Sequence, residues 1–361
     1  MLQYHVFIKN YTESRCALEI KDFLVKMNAV PHVSGYETAL VPVLTEAFSP
    51  YAECSVDKFG NFIAHKKGSG KGAKVMIMAH MDEIGMMVSA ICDNGFVKFS
   101  RIGGVDARNM LAQEVIIHGH EKVYGVIGIK PPHLTTPAER NKAVQMHDIV
   151  IDTGYSKESL ETRIRVGDII TFKQDIGEMQ NGKLTGKSLD NIAGVVAMYE
   201  AVKNLEHFNH NADVYFVASA QEEVGGRGSE TITYVLKPDI GIAVDVTFGK
   251  TAGLSDFDAF ELGKGPTITY SPNCTRKLSN DLKKVAQDKK IPFNIEVCHG
   301  MTGTDAAEFQ VAEGGVITGV LSIPLKYMHS TVETLVPSDI ATCGRLISEY
   351  IMTLQNWEEE A

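Results

Sequence analysis

Tryptophan is almost missing from this chain. Trp357, near the C-terminus, stands alone, so a sugar-binding platform of stacked aromatic rings is poorly supplied. Cysteine is sparse and scattered. Cys16, Cys54, Cys92, Cys274, Cys298 and Cys343 form no Cys-x-x-Cys pair, which argues against a zinc knuckle and for reduced core thiols over a disulfide frame. Basic blocks are absent as well. Lys and Arg number 35 against 45 Asp and Glu, for a net charge of −10, and no basic patch suits a nucleic acid. No apolar run approaches membrane-spanning length, and Met1-Leu2-Gln3-Tyr4-His5 lacks the pattern of a signal peptide. A cytoplasmic protein with neither nucleic-acid nor membrane partners is expected.

What is present is ample apolar material. The 361 residues are 44% hydrophobic, enough for one large domain or two smaller ones. Up to residue 86 helix and strand patterns alternate. Ser34-Gly35-Tyr36-Glu37 has capping-box spacing ahead of the periodic segment Ala39–Phe48, and Lys74–Ala79 reads as a buried parallel strand. From 87 to 174 the texture changes. Short β-like pieces at Phe96–Phe99, Glu114–His118, Val123–Ile129 and Asp168–Phe172 are broken by glycine, Asn-Gly and Pro-Pro, with one short helix around Lys157–Thr162. That predicts a small β-barrel or sandwich inserted into an α/β parent. From 175 to 361 the alternation returns. Helices are expected at 191–205, after Gly228, at 276–288, at 305–312 and from Ser338, with strands at 213–219, 240–246, 293–298 and 315–321.

In an open α/β sheet, ligands gather beyond the carboxyl ends of the strands. The metal-capable residues that close an apolar run form a short set. His80 and Asp82 follow the strand at 74–79, and Glu222 and Glu223 follow the one at 214–220. Asp190 precedes a helix, Asp245 lies inside Ala243-Val244-Asp245-Val246, and His329 follows the strand at 315–321. Each has an ordinary alternative. Asp190 suits a helix N-cap, and an adjacent glutamate pair suits a solvated loop. Asp245 is the hardest to explain away, because a charge in an apolar strand needs a partner. Imidazole together with carboxylate suits zinc, cobalt or manganese rather than calcium. Five such ligands exceed one tetrahedral ion, so two ions sharing a carboxylate fit better.

In their order along the chain these residues carry a family resemblance. Ala79-His80-Met81-Asp82-Glu83-Ile84-Gly85, Gln221-Glu222-Glu223-Val224-Gly225-Gly226-Arg227-Gly228, Asp245 and His329-Ser330-Thr331-Val332-Glu333 resemble the glutamyl-aminopeptidase and TET-type dinuclear metalloaminopeptidases, some of which have been labelled endoglucanases. The resemblance covers nearly the whole chain. It implies a mixed central sheet flanked by helices, of the zinc-aminopeptidase type, with an inserted barrel or PDZ-like domain that serves assembly, commonly into tetrahedral dodecamers. It also implies roles. His80 and Asp245 would hold one ion and Glu223 and His329 the other, with Asp190 bridging them. The ions would be Zn²⁺ or Co²⁺, with Mn²⁺ a further alternative. Glu222 would be general base and acid, and Asp82 would orient His80. The second ion could bind the substrate's α-amino group, which accounts for exopeptidase behaviour.

The chain departs from the family pattern twice. Leu189-Asp190-Asn191-Ile192 stands where Leu-Asp-Asp-Arg is usual, and Thr331 stands where proline is common. By resemblance the Asp190–Asn191 peptide is expected to be cis. Gly300–Ala306 resembles a loop near the active site, although Thr304 suits a helix N-cap equally well. Two other functions stay open at this stage. A glycoside hydrolase needs a carboxylate pair but has no use for His80 or His329, and a metal-binding assembly protein has no use for Glu222.

Overall fold

A computed structural model describes residues 16–70, 72–140, 142–255 and 257–356. The strands in chain order begin with β1 (Glu53–Val56), β2 (Phe62–Lys66) and β3 (Lys74–His80). Next come β4 (Gly85–Ile91), β5 (Val97–Ile102), β6 (Glu114–His118), β7 (Lys122–Gly128), β8 (Val150–Asp152) and β9 (Ile169–Phe172). Then follow β10 (Gly177–Glu178), β11 (Leu184–Gly186), β12 (Asp213–Ser219), β13 (Ile240–Phe248), β14 (Thr267–Tyr270), β15 (Asn294–Val297), β16 (Ile317–Leu325) and β17 (Glu333–Leu335).

Eight of these strands form one mixed sheet in the order β1-β2-β12-β3-β13-β16-β14-β15. The four in the middle, β12, β3, β13 and β16, are parallel. Side chains alternate across them as a pleated strand requires. Val75, Ile77 and Ala79 join the larger core, which also holds Val195 and Ala197 of the helix Leu189–Leu205, Leu346 and Ile347 of the helix Pro337–Thr353, and Leu24 of a helix over residues 16–28. Met76 and Met78 point the other way, into a smaller core with Ile232 and Phe309 from the helices Arg227–Leu236 and Ala306–Val311. Strands buried on both faces explain why these runs are continuously apolar rather than alternating.

β4 to β9 close into a separate barrel, in the order β4-β5-β8-β7-β6-β9, around a core of its own that includes Met86, Val115, Ile117, Ile151 and Ile170. A small three-stranded sheet, β10-β11-β17, adds to the structure near the barrel's exit. The barrel strands run from Gly85 to Phe172, so the whole barrel lies between His80 and Asp190 in sequence. All six cysteines are free, and among the described residues no helix is long and apolar enough to cross a membrane.

One local expectation is corrected. Ser34 and Glu37 do not form a capping box. Residues Glu37–Leu40 make a 3₁₀ turn, and the helix proper starts at Val41 without a side-chain cap. The Ser34 hydroxyl instead donates to Asp82 Oδ2 at 2.6 Å, and Glu37 Oε1 accepts from the backbone of Gly35 and, at 3.0 Å, Gln221. The pair serves a distant loop rather than its own helix.

Candidate active site

The topology itself selects the place. After β3 the chain returns to the sheet at β12, on one side of the β3–β13 pair, and after β13 it proceeds to β14, on the other. Between β3 and β13 the connections therefore diverge, which opens a crevice at the strands' carboxyl ends. His80 is the last residue of β3. Ala243 pairs with Met78, so Asp245, two residues on, lies level with His80 across that crevice. By alternation both point to the face of the smaller core.

Two triads assemble here. His80, Asp190 and Asp245 form one, and Asp190, Glu223 and His329 the other; within each, the potential ligand atoms lie within 4.8 Å of one another. His80 Nε2 is 3.1 Å from Asp190 Oδ1 and 3.8 Å from Asp245 Oδ1. His329 Nε2 is 3.3 Å from Asp190 Oδ2 and 3.2 Å from Glu223 Oε1. Asp190 thus presents one oxygen to each triad. It starts the buried helix Leu189–Leu205, and its peptide bond to Asn191 is cis. Asn191 Oδ1 accepts from Gly194 N, and its amide donates to the Val244 carbonyl at 2.8 Å. An ionised aspartate there could not make that donation.

Glu222 belongs to neither triad, yet it lines the same cavity. The turn that separates it from Glu223 is gripped from below. Asp82 accepts the backbone N–H of Glu222 on one oxygen at 3.0 Å and that of Glu223 on the other at 3.1 Å. Gln221, whose N–H goes to Glu37, adopts a left-handed conformation with φ 62°. Asp82 was expected to orient His80. It does contact the ring, but His80 Nδ1 donates its hydrogen bond to the Asp82 carbonyl at 3.1 Å, with the carboxylate at 3.5 Å.

Sequence reasoning assigned no role to several supporting residues. Buried Glu333 accepts the backbone N–H of Asp190 at 3.1 Å and that of His329 at 2.9 Å, so one carboxylate positions two ligand-bearing segments. Glu83 is ion-paired in the interior to Lys187 at 2.6 Å and bonds the Ser188 hydroxyl, tying the residues after His80 to those before Asp190. Burial opposes ionisation of Glu83, but His32 and Lys187 outweigh it and bring its pKa to about 2. The barrel contributes too. A Cβ placed on Gly104 would come within 2.4 Å of His329 Nδ1, and one on Gly103 within 3.3 Å of Glu223. Backbone that close to the imidazole admits only glycine. Thr304 lines the cavity, but it is not the N-cap of the helix that follows: Asp305 holds that position with no side-chain cap, and Thr304 Oγ1 accepts only a local bond from Ala306 N.

The electrostatics fit cations. Burial raises the Glu222 and Asp245 carboxyls, with like-charged neighbours adding to the effect and His80 opposing it; burial likewise raises Glu223. Asp190 runs opposite: burial pushes it up, yet bonds from His329 and His80 hold it below the usual carboxylate range. Asp190 and Glu223 push His329 up to about 11. Three acids, Asp190, Glu223 and Asp245, with two imidazoles form a donor set that divalent ions of the zinc or cobalt kind would satisfy.

A family model described as M42 glutamyl aminopeptidase matches residues 60–346. The chain belongs to this family. Among M42 relatives, a lysyl aminopeptidase of Pyrococcus furiosus is 38% identical over 92% of this chain and 97% of its own length. The TET1 peptidase of Pyrococcus horikoshii, described as assembling into a tetrahedron or a large octahedral shell, superposes with TM-score 0.82 at 33% identity, covering 93% of this chain and all of its own. A Thermotoga maritima structure named endoglucanase gives 0.75 at 28% identity, covering 91% and 96%. The mixed sheet flanked by helices is that of the TET aminopeptidases, and membership in the M42 family makes this chain a peptide-bond hydrolase of the aminopeptidase type.

Two outcomes follow from the geometry. Gly104→Ala is expected to displace the His329 ring, lowering kcat/KM at least about tenfold while the unfolding temperature moves little, since Gly104 lies outside the barrel core. The second concerns pH. Without ions, Glu222, Glu223, Asp245, His80 and His329 all hold protons in the folded state to higher pH than in the unfolded chain. That stabilisation is complete below the unfolded pKa values and is lost progressively as pH rises toward the folded values, about 10 for Glu222 and about 11 for His329. Differential scanning fluorimetry should therefore show EDTA-treated protein losing stability between about pH 5 and pH 9, with the gap to the ion-loaded protein widening as pH rises.

Proposed function

We propose that this chain is a dinuclear-metal aminopeptidase that removes N-terminal residues from peptides, with Glu222 moving the proton. The observation that carries this reading is the pair of triads sharing Asp190, with an unligated glutamate in the same cavity. His80, Asp190 and Asp245 would hold one ion, and Asp190, Glu223 and His329 the other. When bound, two such ions supply Lewis acidity toward the scissile carbonyl and acidify a water held beside it.

The chain's own residues do the rest. The Glu222 carboxylate accepts a proton from the attacking water and returns it to the departing amine. Burial raises its pKa, and cations at the adjacent triads would draw it back down toward the operating pH, where one group can both take and return a proton. Asp82 and Glu37 hold the turn so that Glu222 and Glu223 part, one to each task, and Glu333 sets the backbone of Asp190 and His329. Ion-loaded Glu222→Gln is expected to lose at least about a hundredfold in kcat and to keep near two ions per chain by elemental analysis. His80→Ala and His329→Ala should each lose bound metal. Near-normal turnover in Glu222→Gln would refute the proton-carrier role, and cleavage of a soluble glucan in place of aminoacyl-p-nitroanilides would refute the substrate class.

The TET1 neighbour's shell extends the proposal to assembly. We assign the barrel, with Tyr124 and Val126 of β7 exposed on its surface, to contacts between copies of the chain. Size-exclusion chromatography with light scattering should give the mass of a closed homo-oligomer, a dodecamer being the expected form. A monomer would refute this assignment.

A further inference from the structure

The cavity that contains the two triads, of about 340 Å³, has another acid in its wall, one that neither triad nor the proton transfer uses. Glu296 lies on β15 and pairs with Thr269 of β14. Its carboxylate is held by three hydroxyls. Thr247 donates to Oε1 at 2.6 Å, and Thr267 and Thr269 donate to Oε2 at 2.9 and 3.0 Å. Among the described residues no Lys, Arg or His forms an ion pair with it, unlike buried Glu83 and its Lys187. Three neutral donors fix the carboxylate in place and leave its charge uncompensated. They also leave acceptor capacity, since a carboxylate offers about four lone-pair sites. The same cavity is lined by Phe248, Val320 and Met328.

Apolar walls with a fixed anion describe a receptor for a long aliphatic cation. The methylenes of such a side chain lie along hydrocarbon while the charged end reaches the acid. We propose that Glu296 determines specificity, selecting peptides whose N-terminal residue is lysine or arginine. This rests on the aminopeptidase reading above. An N-terminal leucine would take water from Glu296 and return no hydrogen bond, and an N-terminal glutamate would set two anions against each other. The hydroxyl cradle explains why the anion stays put in the absence of substrate, so that little is lost in ordering it on binding.

The test compares Lys-, Arg-, Leu- and Glu-p-nitroanilide on the ion-loaded enzyme. Wild type is expected to favour Lys and Arg by at least about tenfold in kcat/KM. Glu296→Gln should lower those two by about ten- to a hundredfold, mainly through KM, and leave Leu within about threefold. Glu296→Lys should raise the Glu substrate above the Lys one. A wild-type preference for Leu or Glu overturns the inference and leaves the aminopeptidase reading intact. So does an equal loss on all four substrates in Glu296→Gln, which marks a purely structural role. A second readout needs no turnover. By calorimetry on ion-loaded Glu222→Gln, L-lysine should bind at least about tenfold tighter than L-norleucine, which shares the stem and lacks the ammonium. Adding Glu296→Gln should erase that difference. If lysine still binds selectively while no aminoacyl substrate is cleaved, the aminopeptidase reading fails and the role of Glu296 stands. Equal affinity for lysine and norleucine refutes it.

Discussion

Four carboxylates, Asp190, Glu222, Glu223 and Asp245, share a largely buried site with two imidazoles, and the surrounding structure is organised by that excess of negative charge. The groups that hold them are not bases. Asp82, Glu37 and Glu333 are acids themselves, and they act by accepting backbone N–H groups of the site loops. The support layer thus fixes geometry with great economy, each carboxylate clamping one or two segments, but it adds negative charge rather than removing any. Divalent cations held at the two triads would relieve both layers together. Positive side chains are kept one step away: Lys187 is committed to Glu83, where it joins the strand-end segment to the start of the helix at Asp190.

The sheet explains why these acids meet at all. Residues that lie 110 apart in sequence, His80 and Asp190, come within hydrogen-bond distance because the first ends β3 and the second starts the helix packed across β3 and β13. The divergence of connections between those two strands leaves their carboxyl ends uncovered, and there an apolar strand can carry an aspartate such as Asp245. The same edge continues from β13 through β16 and β14 to β15, which places Glu296 in the cavity that contains the triads.

Much of this was legible in the sequence, for definite reasons. Strands buried on both faces leave unbroken apolar runs, so β3, β12 and β13 could be read, and a charged residue ending or interrupting such a run stands out. Helix 276–288 was placed to the residue, because its apolar positions recur on one face. The short strands β1, β2 and β14 escaped. At four or five residues, with polar and apolar positions mixed, they carry no period of their own. Ser34 and Glu37 were misread because their spacing matches a local motif while their partners, Asp82 and Gln221, lie 48 and 184 residues away. Glu333, Gly104 and Glu296 have no local signature either, since their roles exist only in contacts across the fold. Asn191 was visible as a departure, but its bond to Val244 could be found only in three dimensions.

The barrel has its own hydrophobic core, yet its Gly103-Gly104 turn forms part of the floor beneath Glu223 and His329. Two halves of the molecule that look separable in their cores are therefore fused at the chemistry. A chain whose barrel is unseated, trimmed or exchanged for another would keep a well-packed sheet and lose the surface against which one imidazole rests. The inner turn is held to a backbone without side chains. Any partner that shifts the barrel by an ångström would act on catalysis directly, with no need to reach the cavity itself.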